Sequence, residues 1–318
     1  MNLEGIKGHQ RQIRNLEFLL KSDKIPQAIL FTGISGIGKK LIAKRFLKAL
    51  FCKDINPPCL SCSICKQIGH ETFPDVIEIY PNEKGTIPIG GEDTRETGSV
   101  RWLIDRLAAK SISGKMGILI DGVDRISEEG QNALLKMIEE PSQGTSFLLI
   151  TSNRNNLLQT ILSRSSEIRF FPLPEADVKD ILNKKDVSAN NFDLVTKISG
   201  GSVEVAEVVA DHDLFSKIIE VCKSLSLFIA ENKMLDVDDW KIQNRIKIEL
   251  LLDIMINIFR QNLLILIRQE KNVFNELKDC FINDEGKVLN LLKNLVLLKK
   301  SEAYNINFKY AVKGQLYS

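Results

Sequence analysis

Along the first half of the chain, short continuous apolar runs alternate with stretches in which apolar residues recur every three or four positions. The continuous runs are Ala28-Ile29-Leu30-Phe31, Val76-Ile77-Glu78-Ile79-Tyr80, Gly117-Ile118-Leu119-Ile120-Asp121, Ser146 to Ile150 and Ser166 to Phe171. Runs of this length fit strands buried on both faces of a sheet. Helical spacing marks residues 8–21, the stretch Leu41 to Leu47, Ser99 to Ala109 through Val100, Leu103, Ile104 and Leu107, and the segment carrying Leu134, Leu135 and Ile138. Ser127 is placed to cap that last helix, Glu128 and Glu129 suit its first turn, and Pro141 stops it. Strands alternating with helices predict an α/β domain on a parallel sheet. Residues 81–99, rich in Gly, Pro, Thr and charge, read as a surface loop or β-excursion.

Pro172 and Pro174 close this pattern, and beyond them almost no strand signal remains. A small helical unit containing Gly200-Gly201-Ser202 runs to about residue 210. A second helical block follows, with the stripe Leu251, Ile254, Ile258 and Ile265. Three domains are expected, over 1–172, 173–210 and 211–318. The greasiest segment, Ile248 to Ile267, carries Glu249, Asp253 and Arg260, which argues against a membrane span.

The junction between the first strand and its helix carries the first chemistry. Gly33-Ile34-Ser35-Gly36-Ile37-Gly38-Lys39-Lys40 is a glycine loop between strand and helix, the context of a phosphate-binding loop. Gly33, Gly36 and Gly38 free the backbone to turn its N–H groups and the helix N-terminus toward an anion, and Lys39 is placed for the β- and γ-phosphates. The next position ordinarily holds Ser or Thr, whose hydroxyl binds Mg²⁺. Here it is Lys40, which cannot bind a cation but can add attraction to phosphate. Asp121, ending its strand, suits the acid that supports Mg²⁺ beside the phosphates, or else merely terminates the strand. The loop is shaped for phosphate and lacks a part needed for hydrolysis.

Composition adds bounds rather than direction. The 318 residues, 44% hydrophobic and 26% charged, are ordinary for a soluble globular protein, and a net charge of +2 does not by itself indicate nucleic-acid binding. Met1 to Gly5 has no signal-peptide core, so a cytoplasmic location is expected. Four of the six cysteines fall within Cys52–Cys65. Cys52, Cys59, Cys62 and Cys65 are separated by six, two and two residues, and four thiolates so spaced complete a closed, structural Zn²⁺ site. Structural disulfides are the alternative. His70 is a candidate replacement ligand, read instead as a surface or packing histidine.

The helix Asn132-Ala133-Leu134-Leu135-Lys136-Met137-Ile138-Glu139-Glu140-Pro141 is the most specific stretch of the chain. Together with the Gly-Lys loop, the four-cysteine module, Phe73-Pro74-Asp75 and Ser163-Arg164-Ser165, it resembles the clamp-loader subunits of bacterial DNA polymerase III, members of the AAA+ superfamily. The resemblance continues through Gly200-Gly201-Ser202 and reaches Asn305-Ile306-Asn307.

That resemblance implies a P-loop AAA+ domain with an embedded zinc module, a helical lid and an all-α collar that joins subunits into a ring. It implies that Arg164 is an arginine finger reaching the γ-phosphate of a neighbour's ATP, with Ser165 in the place of the family's Cys, and that Asn153 is the polar sensor residue. Active members carry Glu after the strand-ending acid and an arginine after Gly-Gly-Ser; Gly122 and Val205 stand there. With Lys40, these losses imply a subunit that does not hydrolyse ATP, and ATP or ADP is expected to bind weakly or not at all. The implied partners are the gamma/tau ATPase subunits and the delta subunit, with the sliding clamp and primer-template DNA reached through the complex. The rival readings are an ATP-hydrolysing gamma/tau-type subunit, which Lys39, Asp121 and Asn153 favour, and a zinc-dependent nucleic-acid-binding module. The lack of a long extension after the collar fits the non-hydrolysing reading.

Overall fold

The computed structural model describes residues 5–22, 24–91, 96–108, 111–142, 144–231, 247–269, 274–301 and 311–316, in two compact units, Met1–Pro172 and Leu173–Ser318. The first unit runs α1 (Gln10–Ser22), β1 (Ala28–Thr32), α2 (Lys39–Phe51), α3 (Ser63–Gly69), β2 (Val76–Ile79), α4 (Val100–Ala108), β3 (Met116–Asp121), α5 (Glu128–Glu139), β4 (Thr145–Thr151), α6 (Gln159–Arg164) and β5 (Ser166–Arg169). The five strands form one parallel sheet in the order β2-β3-β4-β1-β5.

The continuous apolar runs are explained by burial of both sheet faces, because alternate residues of one strand serve two different cores. Ala28, Leu30, Ile118, Ile120, Phe147 and Leu149 pack with Val100 and Leu103 of α4, Leu134, Leu135 and Ile138 of α5, and Ile161 of α6. Ile29, Phe31, Leu119, Leu148 and Ile150 turn the other way, onto Ile13 and Leu16 of α1, Ile42, Phe46 and Leu47 of α2, and Ile68 of α3. In a parallel sheet the carboxyl ends of all strands lie along one edge, where ligands bind in open α/β folds. Thr32 pairs there with Thr151 and Arg169, and Asp121 with Ile150.

Two elements depart from the sequence pattern. The last strand ends at Arg169 rather than Phe171: Phe170 still donates its N–H to the Thr32 carbonyl at 2.7 Å, but Phe171 is exposed and Pro172 has no N–H to continue a ladder. The helix α3 follows the cysteine loop without an apolar stripe long enough to announce it. Within 81–99, Ile87 is buried and forms a single parallel bridge with Ile126.

The second unit contains α7 (Glu175–Lys184), α8 (Phe192–Ser199), α9 (Val203–Ala210), α10 (His212–Glu231), α11 (Ile248–Arg268) and α12 (Glu285–Ser301), with no strand among its described residues. Its apolar core is continuous, joining Val178, Ile198, Val205 and Val209 with Ile218, Leu251, Phe259, Leu291 and Val312. Leu251, Ile254 and Ile258 of the predicted stripe are buried and Ile265 is half-buried. By length and composition α11 could cross a bilayer, but eight of its residues are buried inside this core and Asp253 pairs with Lys299. Buried Asn262 is satisfied by the Ile282 backbone, accepting from its N–H at 2.9 Å and donating to its carbonyl at 3.2 Å. Asn305-Ile306-Asn307 lies outside the described residues.

Candidate functional site: phosphate loop, arginine and cysteine cluster

The glycine loop leaves the end of β1 and enters α2 at Lys39, with Gly33, Gly36 and Gly38 at φ of 145°, 73° and 95°. At Gly33 a Cβ would sit 2.6 Å from the Phe170 carbonyl oxygen, so close passage past β5 and the open φ both demand glycine. Lys39 is buried, and its Nζ donates to the carbonyls of Gly33 and Ile34, each at 2.6 Å. Its ammonium therefore lies across the loop it serves. The outside of the loop is braced by His9, whose Nε2 is 2.7 Å from the Ile37 carbonyl and whose ring meets Phe170 edge-on at 5.0 Å. The spacing places Gly8 and His9 at the start of the first helix, but both adopt positive φ and turn the chain ahead of α1.

Lys40 points at the acid expected to support a metal. Its Nζ lies 3.6 Å from Asp121 Oδ2 and 3.7 Å from the centroid of the Tyr80 ring. The ring is itself fixed, because the Tyr80 hydroxyl bonds Glu78 and, at 3.1 Å, Glu71. Lys44, one turn along α2, pairs with Glu71 at 2.7 Å and Glu78 at 2.8 Å. Burial pushes the Glu78 carboxyl up even with Lys44 beside it. Burial works to lower the Lys44 ammonium, and its bonds to Glu71 and Glu78 outweigh that and raise it. Local sequence marks neither this acidic pair nor Tyr80, which reads only as the end of a strand.

A Mg²⁺ site requires hard oxygen donors. Position 40 supplies an ammonium beside Asp121 instead, so this pair does not fit the ion. Position 122 supplies no base to activate water: Gly122 adopts φ 95°, where a Cβ would meet Pro81 Cγ at 3.1 Å and Arg125 Cγ at 3.2 Å. Asn153 stands just past β4, between the strands that end in the loop and in Asp121. Its side chain accepts from the Asn155 N–H at 3.2 Å and caps a 3₁₀ turn.

Arg164 ends α6 on the surface, with its Nε 2.6 Å from Glu139 Oε1 and an outer nitrogen 3.4 Å from the Thr160 carbonyl. The neighbouring Ser165 hydroxyl is buried and has no hydrogen-bond partner among the described residues. Val205, in the second unit, is buried in the helical core, and α9 contains no basic residue in any register.

The four cysteines converge independently of the phosphate loop. The Sγ atoms of Cys52, Cys59, Cys62 and Cys65 all lie within 4.8 Å of one another, and all six cysteines are free thiols. Zn–S bonds of about 2.3 Å in a tetrahedron need sulfurs about 3.8 Å apart, so the set fits Zn²⁺ and leaves no open position. Turn geometry aims backbone N–H groups at the sulfurs: Cys59 donates to Cys52 at 3.4 Å, Cys62 to Cys59 at 3.3 Å and Cys65 to Cys62 at 3.4 Å. Donors from Cys62 and Ser61 lower the Cys59 thiol to about 6, while burial pushes Cys65 up to about 12. His70 is exposed at the end of α3, outside the cluster.

Comparison with known proteins bears on the whole of this arrangement. The family described as DNA polymerase III, delta subunit, matches residues 8–174. The chain is 27% identical over 304 residues to the DNA polymerase III subunit delta' of Bacillus subtilis, a match covering 91% of this chain and 89% of that protein. It is 34% identical over 216 residues to subunit tau/gamma of Haemophilus influenzae, covering 65% of this chain and 30% of that one. To subunit tau of Escherichia coli it is 30% identical over 220 residues, covering 66% of this chain and 33% of that one. The chain thus spans about a third of the length of the tau-type relatives and nearly all of the delta' relative.

Proposed function

The chain belongs to the DNA polymerase III delta-subunit family and is a clamp-loader subunit, and from that premise we propose that it is a delta'-type subunit that does not hydrolyse ATP. The observation that carries this reading is the ion pair of Lys40 with Asp121, a cation lodged against the acid that a hydrolysing site keeps for its metal. Gly122 supports it, since position 122 carries no carboxylate to activate water and a Cβ there would crowd Pro81 and Arg125. The match along nearly the full length of the delta' relative points the same way.

In this role the first unit is a degenerate AAA+ domain. Cys52, Cys59, Cys62 and Cys65 hold a structural Zn²⁺ that would tie the cysteine loop to α3. Residues 173–210 act as the lid and 211–318 as the collar through which subunits assemble. The chain works in the cytoplasm as a stator beside the gamma/tau ATPases and the delta subunit, in a complex that places the sliding clamp on primed DNA. Arg164, on the surface at the end of α6, is the group it offers to an adjacent ATP. A guanidinium so placed stabilises charge developing on the transferred phosphoryl and can raise the rate by about 10³–10⁵.

The second reading, an ATP-hydrolysing gamma/tau-type subunit, rests on the higher identity to the tau/gamma relative over the shared region. Turnover of ATP by the purified chain alone decides between them. No phosphate release supports the stator, and steady release makes the chain an ATPase despite Lys40 and Gly122.

A further inference from the structure

Lys40 differs from an ordinary surface lysine in being held from two sides, by the Asp121 carboxylate at 3.6 Å and by the face of Tyr80 at 3.7 Å. The face of an aromatic ring attracts a cation, and this ring is anchored through its hydroxyl to Glu71 and Glu78. The ammonium is thus a charge oriented at the head of α2, one residue beyond the lysine of the phosphate loop.

A divalent ion bound directly to Asp121, with an ion–oxygen bond of about 2.1 Å, would lie within about 6 Å of that ammonium, two positive centres competing for one acid. Lys40 adds one positive charge to that of Lys39, in the place where a phosphate loop ordinarily has a neutral hydroxyl. The loop nevertheless keeps the parts that bind phosphate: three glycines at positive φ, a helix N-terminus and Lys39.

We propose that Lys40 replaces the metal ion at this site, so that the loop takes a nucleoside di- or triphosphate in its metal-free form and Mg²⁺ opposes binding. The inference rests on the reading of the site as a non-hydrolysing phosphate loop and adds the chemical form of its ligand. Metal-free polyphosphate carries the full negative charge that the two lysines complement. The Mg²⁺ complex brings its own cation to a place already filled.

The test titrates a fluorescent ADP analogue into the full-length chain in buffer without chelator, so that zinc is retained, with no added metal and then with rising Mg²⁺. The expected result is binding without Mg²⁺ that weakens as Mg²⁺ is added. Lys40→Thr, which restores a hydroxyl, should reverse the response, Mg²⁺ now tightening binding by about ten- to a hundredfold, the worth of one charge-assisted contact. Lys40→Met, which removes the charge and supplies no oxygen, should lose metal-free binding without gaining a response to Mg²⁺. Wild-type binding that tightens with Mg²⁺, or absence of binding at every Mg²⁺ concentration, overturns the proposal. Phosphate release from ATP, followed on the same samples, reports separately on the non-hydrolysing reading: turnover would sink that reading whichever way Mg²⁺ acts.

Discussion

Glu139, the last residue of α5, holds the guanidinium of Arg164 at the end of α6, with its Oε1 2.6 Å from Arg164 Nε. Both side chains are 43% exposed, and an ion pair in that setting contributes only about 0–1 kcal/mol. The contact orients the arginine without committing it, so a phosphate can draw it away. Arg164→Ala should therefore leave the melting temperature of the chain within a degree or two. In the reconstituted clamp loader it should cut DNA-stimulated ATP hydrolysis severely at the adjacent site. Unchanged hydrolysis by that complex would falsify the arginine-finger assignment.

Restoring a carboxylate at position 122 should not restore catalysis. Gly122→Glu forces a side chain into left-handed backbone, at about 1–2 kcal/mol, and pushes its Cβ against Pro81 and Arg125. The expected outcome is a lower denaturation midpoint with no gain in phosphate release. A gain in turnover would show that the missing base alone silences the site.

Zinc is expected at one ion per chain. Stripping it with a strong chelator, or replacing Cys62 by Ser, should lower the melting temperature and loosen α3, whose N-cap is Cys62 itself. Metal analysis alongside far-ultraviolet circular dichroism checks this. A metal-free chain with unchanged stability would remove the structural role.

Asp75 gives a pH signature. Burial works against its charge, but the Ser113 hydroxyl and the N–H groups of Ile112 and Ser113, at 2.9 and 2.6 Å, outweigh it and hold the carboxyl below its ordinary value. A carboxylate lowered on folding contributes stability that is present above its unfolded pKa of about 3.9 and is lost as pH falls through the folded value. Asp75→Asn should cost about 1–3 kcal/mol at neutral pH. Urea titrations across pH should show the gap between variant and wild type closing below about pH 3.9. A gap that stays constant to pH 2 would mean that packing, not charge, is the source.

Ser165 offers a stabilising change. Its buried hydroxyl has no partner among the described residues, and leaving such a group unsatisfied costs about 1–3 kcal/mol. Ser165→Cys should raise the denaturation midpoint, because sulfur is less penalised for lacking a partner. A lower midpoint would show that the hydroxyl is satisfied by water.

Most of the first unit is legible from residue types alone, since each of the five apolar runs is a strand and the alternating burial of Ile29 and Leu30 follows from the pleat. The loop glycines and the cysteine spacing were legible because few other arrangements use them. What the sequence withheld was contact between distant segments. His9 meets Ile37 and Phe170, Tyr80 lies over Lys40, and Glu139 holds Arg164; no local periodicity encodes these partners. Lys40 reads from sequence as the wrong residue for a hydroxyl and as an added attraction for phosphate. Its position against Asp121 required the sheet order that sets the ends of β1 and β3 along one edge.

The left-handed turn at residue 122 also bears on how this site could be rebuilt. Any side chain introduced there must take the left-handed backbone and shift Pro81 and Arg125, whose Cγ atoms lie 3.1 and 3.2 Å from where its Cβ would sit. An engineered base is therefore better placed after the turn itself has been reshaped.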